Sequence, residues 1–309
     1  MNIFYLYKDS QKESTCDVTA QGLIDSFSIN GCIPLSETEF LRDEVQPSQD
    51  DVVIVYVSIK NEKCHEKLRR LNCKKILQSV DESKSDEILF RTQLEFCDQH
   101  NIKLMINTYP SDRNISFLRE KNINTITLPI CSFPRQVDIS KKDIDVLVSG
   151  QLDPNYYPIR FKIFSALRKS SIKFAHLPHS GMESSNVIHQ YHGKKFLDLL
   201  DRCWLGVTCR AGNFRDRMVA KYVEFGFCKV LPIGDCPSYM DPVAKSAMIE
   251  VNENSSDNHI IEQIEKSLSD KPNLVNRIER YSSVIQQNHN MDVNVKRVIS
   301  MVKEEKTDS

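Results

Sequence analysis

The chain has 309 residues, of which 40% are hydrophobic and 27% charged, a globular composition that excludes disordered and fibrous classes and is long enough for two domains. Its 41 basic and 42 acidic side chains leave a net charge of -1, so no global attraction to nucleic acid or an anionic membrane is expected. Ten cysteines without a C-x-x-C pair point to a reducing compartment, and no run approaches the roughly 18 apolar residues of a membrane span.

Short apolar runs alternate with amphipathic stretches along the chain, the pattern of α/β architecture with parallel sheets. Strands are predicted at Ile3 to Tyr7, Val52 to Val57, Lys75 to Gln78, Lys103 to Ile106 and Thr125 to Leu128, with helices at Val18 to Ser28, Glu62 to Leu71, Ser85 to Gln99 and Ile115 to Lys121. Pro129, Pro134 and the polar stretch Asp138 to Lys142 read as a linker. A second series follows, with strands at Ile144 to Gly150, Ile172 to His176, Trp204 to Thr208, Val230 to Ile233 and Met248 to Val251. Helices are expected at Ile159 to Lys169, Gly193 to Asp201, Arg217 to Phe225, 257–268, 272–287 and 291–304. The expected division is an N-terminal Rossmann-like domain over 1–137 and a C-terminal one over 143–290. Residues 291–309 form a terminal helix and tail that can pack back on the first. Two such domains would face a cleft.

The segment from Thr208 to Glu224 carries the densest chemistry. If a strand ends near Thr208 and a helix starts near Asp216, Arg210 and Arg215 fall in a loop whose backbone amides favour an anion. Arg217, Lys221 and Glu224 then share one helix face at i, i+4 and i+7. Arginine and lysine suit phosphate, and a carboxylate can accept both hydroxyls of a ribose diol. A solvated face of i, i+4 ion pairs explains the same spacing.

Asp216-Arg-Met-Val-Ala-Lys-Tyr-Val-Glu-Phe-Gly-Phe-Cys-Lys-Val-Leu-Pro-Ile-Gly-Asp235 resembles the donor-site helix and following strand of GT-B glycosyltransferases, particularly the CgeB-like and family 1/4-like groups. A weaker likeness runs from Asp143 to Ser256 and includes Val148-Ser-Gly-Gln-Leu and Tyr157-Pro-Ile-Arg160. The resemblance implies that Glu224 holds the donor ribose and that Lys221, with Arg210 or Arg217, neutralises the leaving diphosphate. It implies close backbone approach at Gly150 and a further phosphate contact from Arg160. Many retaining members place a second acid where this chain has Arg217, which leaves the stereochemical outcome open.

Asp17 is a candidate general base as well as a candidate helix N-cap, with Asp9 and Asp112 as other acids in cleft-facing loops. His179 sits in a loop where it could touch the donor, or only solvent. The pairs His176/His179 and His189/His192 lack the partners of a zinc site, so no metal and no bound cofactor are expected. The basic cluster from Lys67 to Lys75 reads as a solvated helix end. Gly-x-Gly-x-x-Gly, P-loop and Gly-x-Ser-x-Gly motifs do not occur.

The expectation is a cytoplasmic glycosyltransferase, possible contact with the inner membrane face included. It would move sugar from a nucleotide-sugar donor to a glycan, lipid-linked or protein acceptor, with no nucleic acid as partner. A non-catalytic nucleotide-sugar-binding or scaffold subunit and a nucleotide-sugar epimerase are the alternatives.

Overall fold

The structure is a computed structural model that describes residues 1–9, 17–56, 59, 61–79, 86–108, 112–178, 193–210 and 218–307, without the side chains of 17–20, 86–90, 112–115 and 306–307. The chain divides into two compact units, Met1–Cys131 with Met291–Ser309, and Ser132–Asn290.

The first unit alternates strand and helix: β1 (Ile3–Tyr7), α1 (Asp17–Ile29), β2 (Ile33–Ser36), α2 (Glu37–Leu41), β3 (Val52–Tyr56), α3 (Glu62–Arg70), β4 (Lys74–Ser79), α4 (Asp86–His100), β5 (Leu104–Asn107), α5 (Asp112–Glu120) and β6 (Asn124–Thr127). Its parallel sheet has the order β2-β1-β3-β4-β5-β6. Tyr5, Ile54, Ile76 and Leu104 align across four strands and are all buried. This burial on both faces explains why β1 and β3 read as uninterrupted apolar runs rather than alternating ones. β2 and α2 are additions to the predicted elements. Ile33-Pro34-Leu35-Ser36 is too short and too broken by proline to show a period, and an edge strand tolerates Pro34 because one side needs no donor. The start of α2 carries a capping box: Ser36 Oγ accepts the Glu39 N–H at 3.2 Å and Glu39 accepts the Ser36 N–H at 2.7 Å.

The second unit contains β7 (Ile144–Ser149), α6 (Pro158–Leu167), β8 (Phe174–Leu177), α7 (Lys194–Leu200), β9 (Cys203–Val207), α8 (Ala220–Phe227), β10 (Leu231–Gly234), α9 (Pro242–Ala247), β11 (Ile249–Glu250), α10 (Asp257–Ser269) and α11 (Lys271–His289). Its parallel sheet has the order β11-β10-β9-β7-β8. A final helix, α12 (Met291–Thr307), packs on α1 and β6 of the first unit. In both sheets the second strand in sequence lies on one side of the first and all later strands on the other. Each sheet therefore has a topological switch point, between β1 and β3 and between β7 and β9, where a crevice opens at the carboxyl ends of the strands.

Two predicted boundaries shift. α8 begins at Ala220 rather than Arg217, because the Met218 N–H is donated to the Tyr239 hydroxyl at 2.6 Å and Val219 is extended (φ -77, ψ 158). The polar stretch predicted as linker belongs to the second unit. Ile139–Lys141 makes a single 3-10 turn capped by Asp138, and the buried Lys142 ammonium donates to the carbonyls of Asp201, Cys203 and Cys228 at 3.1, 2.7 and 3.1 Å.

α8 lies tight against its neighbours. A Cβ on Gly206 of β9 would sit 2.6 Å from the Phe225 ring, and one on Gly226 would sit 2.5 Å from Ile285 of α11. Tyr222 and Tyr281 are fully buried there, and the Tyr281 hydroxyl donates to the Tyr222 carbonyl at 2.8 Å. The described cysteines form no disulfide among the described residues. Burial pushes the thiols of Cys32, Cys97, Cys131 and Cys203 up to about 12, so they act as small apolar groups. No helix among the described residues is long and apolar enough to cross a membrane.

Candidate functional site

The carboxyl ends of β7 and β9, adjacent strands at the switch point of the second unit, continue into Gly150 and into Thr208-Cys209-Arg210. Gly150 has φ +97, a left-handed conformation that disfavours any side chain. A Cβ there would lie 3.0 Å from Arg160 Nη1 and 3.2 Å from Lys221 Nζ. Three residues singled out in the sequence, one on a strand end, one on α6 and one on α8, thus meet at one point. Two cations converge on bare backbone.

Arg160 is buried, 2% exposed, on the first turn of α6. Its Nη1 donates to the Gln151 carbonyl at 2.9 Å and its guanidinium lies 4.2 Å from the centroid of the Tyr157 ring. Its Nε has no hydrogen-bond partner among the described residues, and the same holds for the buried hydroxyls of Ser149 and Thr208 at the two strand ends. Buried polar groups of this kind are seldom left unmatched in a folded protein, and a polar ligand at the edge would satisfy them. Glu224, one turn beyond Lys221 on α8, is half-buried. Burial pushes its carboxyl up, while the Lys221 ammonium pulls it down.

Arg210 is held from the side. Its backbone N–H and its Nε donate to the two carboxylate oxygens of Asp235 at 2.8 and 2.7 Å. Asp235 follows β10 and is 8% exposed, and its own carbonyl accepts the Tyr222 hydroxyl at 2.7 Å. Gly234 before it passes so near β9 that a Cβ would fall 1.8 Å from the Thr208 carbonyl oxygen. Asp235 is the last residue of the stretch that resembles the GT-B donor motif, and no role for it is legible in the sequence. Burial raises the Cys209 thiol above its ordinary value.

The remaining candidates are placed as follows. Arg217, His179, His189 and His192 lie outside the described residues. Of the expected three-residue face, Lys221 and Glu224 lie on α8. Asp17 and Asp112 are the first residues of α1 and α5, and their side chains are not described. Asp9 accepts the N–H and hydroxyl of Thr38 at 3.2 and 2.6 Å, which ties it to the start of α2. In the basic cluster from Lys67 to Lys75, Lys67 pairs with Asp43 and the Phe40 carbonyl, Arg69 with Glu62, Lys74 with Glu305, and Lys75 with the Leu71 carbonyl.

No family model matches the chain, and no curated protein does. Solved structures do match. An alpha-glucosyltransferase (AGT) in complex with UDP superposes with a TM-score of 0.64 at 10% identity, covering 98% of this chain and 100% of that one. Anabaena HepE in complex with UDP and glucose gives 0.62 at 10% identity over 98% and 100%. Trehalose-6-phosphate from E. coli bound with UDP-2-fluoro glucose gives 0.57 at 12% identity over 92% and 78%. The alpha-glucosyltransferase has also been solved with UDP and a 13-mer DNA containing a HMU base, with a TM-score of 0.64 at 11% identity over 98% and 99%. That complex corrects the expectation that nucleic acid is no partner. Net charge is a sum over the whole surface and is blind to the local potential that meets a phosphate backbone, so a net charge of -1 does not exclude one. With two parallel Rossmann-like sheets and these likenesses, the chain has the GT-B fold of glycosyltransferases.

Proposed function

We propose that this protein transfers a sugar from a nucleotide-sugar donor, and that the carboxyl edge of β7 and β9 binds the donor's diphosphate. The convergence of Arg160 and Lys221 on Gly150 carries this reading. Glycosyl transfer breaks the bond between the anomeric carbon and a phosphate oxygen, so negative charge grows on the departing diphosphate. Cations already in place there stabilise the transition state more than the ground state. Gly150 lets the backbone approach the phosphates, Lys221 and Arg210 add charge, and Glu224 accepts hydrogen bonds from the ribose hydroxyls. The structural neighbours bound with UDP, UDP-glucose or UDP-2-fluoro glucose support a nucleotide-sugar as donor.

DNA enters as an acceptor from the alpha-glucosyltransferase neighbours, which are bound with DNA carrying a HMU base or an abasic site. Following radiolabelled sugar into oligonucleotide and glycan acceptors in parallel identifies the class. The competing reading is a protein that binds the donor without transferring it. It is favoured by Asp9, a candidate base tied up by Thr38. Hydrolysis of the donor, with water taking the sugar as the nucleotide leaves, separates the two, since a binding protein releases no nucleotide.

The direct test of the site is calorimetry with UDP, GDP, ADP and dTDP. Lys221→Ala removes one charge-assisted contact worth roughly 1.5–3 kcal/mol and is expected to weaken the bound nucleotide at least about tenfold with the melting temperature unchanged. Unchanged affinity would sink the assignment.

A further inference from the structure

We infer that Asp235 is a positioning residue of the donor site: it sets the direction in which Arg210 presents its guanidinium at the strand edge. This rests on the donor-site reading and adds to it a residue that acts through another. The grip is two-point. One carboxylate oxygen takes the Arg210 backbone N–H at 2.8 Å and the other takes Nε at 2.7 Å, so main chain and side chain are fixed together. With the backbone N–H held on one oxygen and Nε on the other, the side chain cannot swing away from Asp235 without breaking the second bond.

The carboxylate is itself immobilised. Gly234 is wedged against the Thr208 carbonyl, and the Tyr222 hydroxyl holds the Asp235 carbonyl at 2.7 Å and approaches its Oδ1 at 3.5 Å. Tyr222 is fully buried and its carbonyl accepts the Tyr281 hydroxyl at 2.8 Å, so a chain of hydrogen bonds runs from α11 through α8 to Arg210. α8 also carries Lys221, so one continuous framework places both cations. Asp235 is 11% exposed at its side chain and Arg210 is 38% exposed, which puts the counter-ion on the inner side and the arginine on the outer.

The test is a double-mutant cycle on nucleotide affinity, measured by calorimetry on the full chain with UDP, GDP, ADP and dTDP. Asp235→Asn keeps the size and loses the charge. It is expected to weaken the bound nucleotide about tenfold, and Arg210→Ala by at least as much. The double variant is expected to bind within about twofold of Arg210→Ala alone, because Asp235 then has nothing to position. A structural role would persist in the Arg210→Ala background, so additive losses overturn the inference, as does unchanged affinity in Asp235→Asn. Tyr222→Phe covers a failure of Asp235→Asn to fold: its smaller loss must likewise vanish without Arg210. Binding that is lost in Lys221→Ala but additive in the cycle overturns positioning alone. Failure of all four nucleotides to bind the unaltered chain overturns the donor-site reading and this inference with it.

Discussion

Gly150 carries two constraints at once, a left-handed backbone and two cationic groups at the distance of its absent side chain. Gly150→Ala is expected to cost roughly 1–2 kcal/mol of stability in urea melts, from backbone strain, and to lower nucleotide affinity by pushing Arg160 and Lys221 aside. A second residue governs the acid side of the stability profile. His100 is buried, and burial first, then the neighbouring His65, Arg69 and Lys75, lowers it from 6.5 to about 4. Its Nε2 lies 3.4 Å from His65 Nδ1. The folded protein keeps His100 neutral while the unfolded chain takes up a proton near 6.5. Between pH 6.5 and about 4 the unfolded state therefore binds more protons, and stability falls as pH drops through that window. Urea melts at pH 7 and pH 5 should show the loss, and His100→Phe should flatten it. Gly150, Lys221 and Glu224 were named from the resemblance, Gly150 from a separate and weaker stretch than the other two. The His100 pair and the Asp235 grip escaped it because their partners lie 35 and 25 residues away.

At the scale of elements, α8 is the part on which the site depends. It presents Lys221 and Glu224 on one side and is wedged by glycines on the others, with Gly206 under Phe225 and Gly226 under Ile285. Gly226→Ala places a methyl group 2.5 Å from Ile285 and should destabilise by about 1–3 kcal/mol through overpacking, despite the better helix propensity of alanine. A fall in melting temperature measured by calorimetry checks this; a rise would mean that α11 yields freely. Apolar periodicity made most elements legible, and long runs such as Val52 to Tyr56 read correctly as central strands. β2, four residues interrupted by Pro34, and the six-residue α9 were not legible, although the short edge strands β6, β8 and β11 were. The start of α8 was misread because a tertiary hydrogen bond from Met218 to Tyr239 decides it.

For the whole molecule, the last helix is stabilising for the unit that holds the N-terminus. Val295, Val298, Ile299 and Val302 of α12 are buried, Ser26 of α1 donates to Asp292 at 2.7 Å, and Arg297 reaches the Thr127 carbonyl at 3.3 Å. Ending the chain at Asn290 should lower hydrogen-exchange protection in β1 to β6 and leave β7 to β11 unchanged. Equal losses in both would show that stability is not partitioned as the two compact units suggest. The amino-acid sequence by itself determined the α/β class, the parallel strands and the resemblance to a GT-B donor motif, because hydrophobic period and a contiguous motif are local properties of the chain. Only the tertiary structure decided that Arg160 and Lys221 meet over Gly150 and that Asp235 holds Arg210. Strand order at a switch point brings together residues that no local pattern connects, and burial of their polar groups becomes visible only once the neighbours are in place.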